Sequence, residues 1–327
     1  MEIETIPPIK PALSCDHCRD QDYTSLTLGP MLLDGREGEL CDWLKEIGFI
    51  PRTTHCENTD CNGSEMLWKK ARIIDKYHWV CRLCKKKASI RHGSFLESFQ
   101  CSVRSAVEAI LGWCDGIPPE EFTAGDGKMK TSIIKKIYSQ CSVVVDWYMQ
   151  RHPEVTLLGG ENSILIVDIF PDGCMTTTPH NNNYSKQVLC VADTVFMPAR
   201  IWTQILDLGE SKDYSKVIPL LLNRIRPHST LVVTPLLYPE LRGVKDVYEE
   251  VISIEALTSL DQEDYQRSLK NLETIWESTV SVCQEIQDMN NADGSQLLRE
   301  LQWRTIFQSR IKSIFTHIVE YQSHLRN

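Results

Sequence analysis

Four cysteines between residues 56 and 84 constrain this chain more than any other feature. Cys56 and Cys61 are separated by four residues, Cys81 and Cys84 by two, and nineteen residues lie between the pairs. Two such pairs deliver four soft ligands to one point when each sits on a tight hairpin knuckle, and tetrahedral Zn2+ suits that set. Residues 53–92 hold few large aliphatic side chains, so a folded unit here needs a staple. A structural zinc on Cys56, Cys61, Cys81 and Cys84 is therefore expected. His55, next to Cys56, ranks below the four thiols as a ligand. Cys15 and Cys18 share the knuckle spacing and form a second candidate site, to which Cys41 and His55 are the available additions.

The chain has thirteen cysteines in 327 residues. Its first residues lack the positive start and apolar run of a signal peptide. No stretch of about 18 apolar residues appears, so no membrane span is expected. A nuclear or cytosolic setting follows as the expectation, and there short-spaced cysteines read as metal ligands rather than disulfides. The scattered cysteines Cys101, Cys114, Cys141, Cys174 and Cys283 read as small core hydrophobes.

The net charge of −9 does not by itself suggest a nucleic-acid binder, but its distribution does. Residues 69–104 carry ten Lys and Arg against Asp75 and Glu97. Lys85, Lys86, Lys87 and Arg91 follow the last cysteine pair, and such density suits phosphate contact. Trp68, Tyr77 and Trp79 lie among them and read first as the core of a small module.

The pattern along the chain predicts an α/β protein in five segments. Residues 1–52 form a leader with a short helix near 39–47, ended by Gly48. The expected zinc ribbon is 53–100. Residues 101–150 read as two helices about a Gly-Pro break, a helix-turn-helix-like order with Lys128, Lys130, Lys135 and Lys136 opening the second helix. Residues 160–290 hold apolar runs of strand type at 163–168, 187–193, 199–206, 229–234 and 250–254, with a helix at 212–222. Two long helices, roughly 261–289 and 295–323, close the chain, the segment 291–327 being the C-terminal helix. Three strands, a helix, two more strands and a final helix is the order of a ribonuclease-H-like mixed sheet with flanking helices. Met289 and Trp303 are candidates for a docking face on these helices, with core packing the default.

Several motifs carry a family resemblance. Cys61 and Met66 precede the knuckle Trp79, Cys81, Cys84, and then come Ser89, Ile90, Arg91, Gly93, Ser94 and Phe95. This order resembles the zinc ribbon of Merlin-type cut-and-paste DNA transposases and their insertion-sequence relatives. The resemblance covers roughly residues 40–325. Near the end, residues 298–304, with Glu300, Trp303 and Arg304, are similar to the family's closing helix.

The resemblance implies a ribonuclease-H-like core in which three carboxylates hold two Mg2+ ions for DNA strand cleavage and transfer. Asp168, ending the first strand, matches the first acid. Glu273, three residues before Trp276, matches the third, although Ser268 and Leu269 stand where the family has His-Thr. The second acid should follow the fourth strand, and there Thr234 is followed by Pro235, which offers no ligand. The expected protein is a transposase-derived, catalytically inactive, zinc-containing DNA-binding or chromatin-associated protein. It would be nuclear, with protein partners or self-association. Two alternatives stay open. One is an active two-metal transposase using Asp168, Glu273 and another acid such as Asp193. The other is an interaction scaffold that has lost DNA binding.

Overall fold

The computed structural model describes residues 24–125, 127, 129–173, 184–209, 212–244, 246–259, 270, 276–307 and 310–326. In chain order the main elements are α1 (Glu37–Glu46), β1 (Met66–Lys70), β2 (Tyr77–Cys81), β3 (Lys87–Ser89), α2 (Val103–Cys114) and α3 (Thr131–Arg151). Then come β4 (Ile164–Phe170), β5 (Gln187–Asp193), β6 (Arg200–Leu206), α4 (Val217–Arg224), β7 (Thr230–Val233), β8 (Glu250–Ser253), α5 (Asn291–Ile306) and α6 (Arg310–Arg326). Residues 276–285 are also helical. No helix among the described residues is long and apolar enough to cross a membrane. The described residues form two compact units: one from residues 24–150 together with 307–326, the other from Arg151–Ile306.

In the first unit, α1 buries Leu40, Cys41 and Leu44, one stripe at helical spacing. Gly48 ends the turn at φ +86°, a conformation that glycine enters without a steric penalty. Strands β1–β2–β3 form an antiparallel sheet in sequence order. Helix α2 is capped by Ser102, whose Oγ accepts the Ser105 N–H at 2.9 Å. Its buried face includes Val103, Ala106, Val107, Ile110 and Trp113.

The connection from α2 to α3 differs from the expected helix-turn-helix. It runs over residues 115–130, far longer than the roughly 3–4-residue turn of that motif. The connection folds back onto α2 instead. Gly125 donates its N–H to Glu108 Oε2 at 2.9 Å, and the Phe122 ring lies where a Cβ on Gly112 would meet it at 2.5 Å.

The helix expected over 295–323 is two helices, α5 and α6, and they serve different units. Helix α6 packs within the first unit. Phe315 meets Phe49 at 5.2 Å and Trp43 at 5.7 Å between ring centroids, and Tyr321 meets Trp147 at 5.3 Å. Gln322 Oε1 accepts the Phe95 N–H at 2.7 Å.

The second unit is a five-stranded mixed sheet in the order β6-β5-β4-β7-β8. Strands β4 and β5, and β5 and β6, pair antiparallel, whereas β4 with β7 and β7 with β8 are parallel. All five expected strands are present, within one to two residues at their ends. Strand β4 is buried on both faces, as an apolar run interrupted only by Asp168 requires. Leu165, Val167 and Ile169 pack with Leu189, Val191, Leu231 and α4 on one face. Ile166 and Phe170 pack with Val188, Cys190, Val232, Trp276, Cys283 and Leu298 on the other. Helix α5 lies along β6, where Gln302 Nε2 donates to Thr203 O at 2.8 Å and Thr305 Oγ1 accepts the Ile201 N–H at 3.1 Å. Trp303 is fully buried, so it belongs to the core and offers no docking face.

Candidate metal centre and the sheet carboxylates

Two knuckles bring the cysteine pairs together. In the first, residues 59–61 make a tight turn opened by Asn58, whose Oδ1 accepts the Asp60 N–H, and Asn62 and Gly63 follow at positive φ. In the second, Cys81 N donates to Lys86 O at 2.9 Å, and Lys85 takes the positive φ. Each knuckle thus closes with a left-handed residue directly after its second cysteine.

The four sulfurs all lie within 4.8 Å of one another. Cys56 Sγ is 3.7 Å from Cys84 Sγ, and Cys61 Sγ is 3.8 Å from Cys81 Sγ. A Zn–S bond of about 2.3 Å in a tetrahedron places sulfurs about 3.8 Å apart, so the spacing fits that ion. The tetrad can hold a metal ion.

The thiols do not ionise alike. Desolvation and the neighbouring sulfurs push Cys61 up to about 12. The Lys86 N–H holds Cys84 below the ordinary thiol range. For Cys81, desolvation is outweighed by the N–H groups of Cys84 and Leu83, and the thiol falls to about 6. Leu83 N lies 3.4 Å from Cys81 Sγ. The backbone of the second knuckle therefore favours thiolate, the form that binds metal.

No other group of three or more potential ligands occurs among the described residues. Cys15 and Cys18 lie outside the described residues. Of the two additions to them, Cys41 donates its thiol to Asp75 O at 3.3 Å, and burial pushes it up to about 12. His55 is exposed and bridges backbone to backbone with Glu65.

Trp68, Tyr77 and Trp79 form the seam between the ribbon and α1. Trp68 stacks on Tyr77 at 4.6 Å. Both donate to Asp42, Trp68 Nε1 at 3.1 Å and Tyr77 Oη at 2.7 Å. The Lys45 ammonium lies 5.0 Å from the Trp68 ring and 5.4 Å from that of Trp79.

The basic residues divide. Arg91 is nearly buried, and its guanidinium faces inward. It grips both carboxylate oxygens of Asp75 and donates to Phe99 O and Cys101 O, each at 2.7 Å. This corrects its grouping with the phosphate-facing lysines. Lys85, Lys86, Lys87, Lys130, Lys135 and Lys136 are exposed. Lys85 reaches Arg82 O, Lys135 pairs with Glu120 at 2.7 Å, and Lys136 reaches Ser98 O. Such exposed contacts are worth at most about 1 kcal/mol and yield readily to a polyanion. Lys128 lies outside the described residues.

The carboxylates are arranged as follows. Asp168 sits inside β4, which continues to Phe170, and is 1% exposed. Its Oδ1 accepts the Ile169 N–H at 2.8 Å, and Cys190 stands opposite it on β5. The position after β7 does lie beside Asp168, because Val167 pairs with Val233 and Thr234 N donates to Val167 O at 3.3 Å. That position holds Thr234, then Pro235. Glu240 and Asp246 farther on are exposed.

Asp193 is not a substitute. It pairs with Leu165, about 10 Å along β4 from Asp168, and strand alternation puts it on the opposite face of the sheet. Its carboxylate accepts N–H groups from Gly159 at 2.9 Å and Val195 at 3.2 Å, and burial pushes its pKa up. Glu273 lies outside the described residues. The loop after β4 lies on Asp168 so closely that a Cβ on Gly173 would overlap the carboxylate. Gly173→Ala is expected to cost about 1–3 kcal/mol in thermal unfolding. Adding Asp168→Ala should recover part of that loss, and a simple sum of the two single losses would refute the overlap.

No family model matches the chain, and no curated protein matches it.

Proposed function

We propose that the chain is a transposase-derived protein of the Merlin type whose catalytic centre is lost. In this reading it acts as a zinc-containing nuclear DNA-binding or chromatin-associated protein. The observation that carries it is the position beside Asp168. Three strands, a helix and two strands build a mixed sheet in the chain order of a ribonuclease-H-like domain, and the place of the second acid holds Thr234 and Pro235. Two hard dications need several carboxylate oxygens on one spot. Asp168 is buried on one face and Asp193 on the other, so Asp193 does not supply the charge that the place after β7 lacks.

The cysteine tetrad supports zinc as the resident ion. Zinc holds the two knuckles and, in a closed four-sulfur site, supplies structure rather than chemistry. The exposed lysines of the ribbon and of α3 support contact with the DNA backbone, and the remaining surface is open to protein partners or a second copy of the chain.

Incubation of the purified protein with supercoiled plasmid and Mg2+ or Mn2+ is expected to give no nicking above background. Nicking that disappears in Asp168→Asn would overturn the reading in favour of an active enzyme. Duplex DNA should bind at low salt. No binding there leaves an interaction scaffold as the better description.

A further inference from the structure

We infer that the outward face of the β1–β2–β3 sheet is the surface that lies on the phosphates of duplex DNA. This rests on the DNA-binding reading above and specifies its surface. Register places Lys69, His78 and Ser89 in one cross-strand row, and Leu67, Val80 and Lys87 in the next. The alternate residues Trp68, Trp79 and Ala88 point to the other side, where the two tryptophans meet Lys45 and Trp68 bonds Asp42 on α1. The first face is therefore turned away from α1; Lys69, Lys87 and Ser89 at its edges are exposed, Leu67 and His78 are half-buried, and Val80 on the central strand is buried, so the edge residues are the ones that can reach phosphate.

Charge argues for a polyanion. The three strands contain no carboxylate, and Arg72 at the hairpin tip and Lys85 and Lys86 at the knuckle extend the positive surface at both ends. Of the acids around the sheet, Asp75 is held by Arg91, Glu37 pairs with Lys76, Glu65 stands at the margin before β1, and Glu57 and Asp60 lie on the other cysteine knuckle. Shape argues for the backbone rather than the bases. Two interstrand spacings make the sheet about 10 Å wide before side chains are added, while a major groove about 12 Å wide takes two strands. A three-stranded face rests across the phosphates and reads no sequence.

The test is anisotropy of a short labelled duplex titrated with the full-length, zinc-loaded protein at several salt concentrations. Lys69→Gln combined with Lys87→Gln is expected to lower the salt slope by about 1.8, at about 0.9 per lost phosphate contact. Lys69→Arg with Lys87→Arg should restore it, and zinc content and melting should match the unaltered chain in both. An unchanged slope in the glutamine variant, with a fall instead in Lys130→Gln, Lys135→Gln, Lys136→Gln, would move the contact to α3. That outcome overturns this inference and leaves the DNA-binding reading intact. Absence of binding by the unaltered chain would overturn both. Single-stranded RNA that displaces the duplex at lower concentration would overturn the assignment to duplex DNA.

Discussion

Replacing Cys81 and Cys84 by serine is expected to unfold the three-stranded ribbon. The sheet is short, with β3 only three residues long, and the four sulfurs sit at its knuckles rather than in a wide apolar core. A structural zinc contributes an apparent binding free energy of about 10–16 kcal/mol at neutral pH. Few side chains in this ribbon can replace that. The purified chain should carry one zinc per molecule by elemental analysis, and the double variant none. Trp68 and Trp79 report the event, since both pack against α1 and should shift their fluorescence when the ribbon opens. Chelation of the unaltered chain should give the same shift. Because Cys61 is pushed up to about 12 while Cys81 falls to about 6, loading the metal must release protons. Metal occupancy should therefore fall as the pH falls. A serine variant that keeps its metal and its melting curve would refute the assignment of these ligands.

Arg91→Ala is expected to destabilise the chain strongly. The guanidinium joins Asp75, in the β1–β2 hairpin, to the Phe99 and Cys101 carbonyls just before α2. Both side chains of the ion pair are only 13% exposed. Removing one partner of a largely buried pair leaves the other charge unsatisfied, a loss of about 3 kcal/mol or more. Arg91→Lys should recover little, because an ammonium cannot reproduce the planar fork that grips two oxygens of a carboxylate and two carbonyls. The salt dependence of DNA binding should stay as it was. A normal melting temperature with a shallower salt slope would place Arg91 on phosphate instead.

Arg91 also shows where sequence reasoning stops. Its charge places it among neighbouring lysines, and nothing local says that it faces inward. Its partner Asp75 is sixteen residues earlier, across a hairpin, and only the fold joins them. The metal tetrad is legible because its signal is local spacing in two short loops. The five strands are legible because each is a run of apolar residues bounded by polar ones. Strand register is not legible. Asp193 stands as an alternative acid until pairing with Leu165 assigns it to the opposite face from Asp168. The division between α5 and α6 is hidden for a related reason. No glycine or proline stands between Ile306 and Arg310, and the two helices belong to separate units.

That division bears on how the chain is made. The cluster of Trp43, Phe49 and Phe315 joins residues from opposite ends of the sequence. Residues 151–306 emerge from the ribosome between them, which takes roughly eight to thirty seconds at about 5–20 residues per second. For that interval the ribbon unit exposes the apolar surface that α6 later covers. A stop codon that removes only α6 is therefore expected to leave the cysteine-bearing unit without part of its core while sparing the five-stranded sheet.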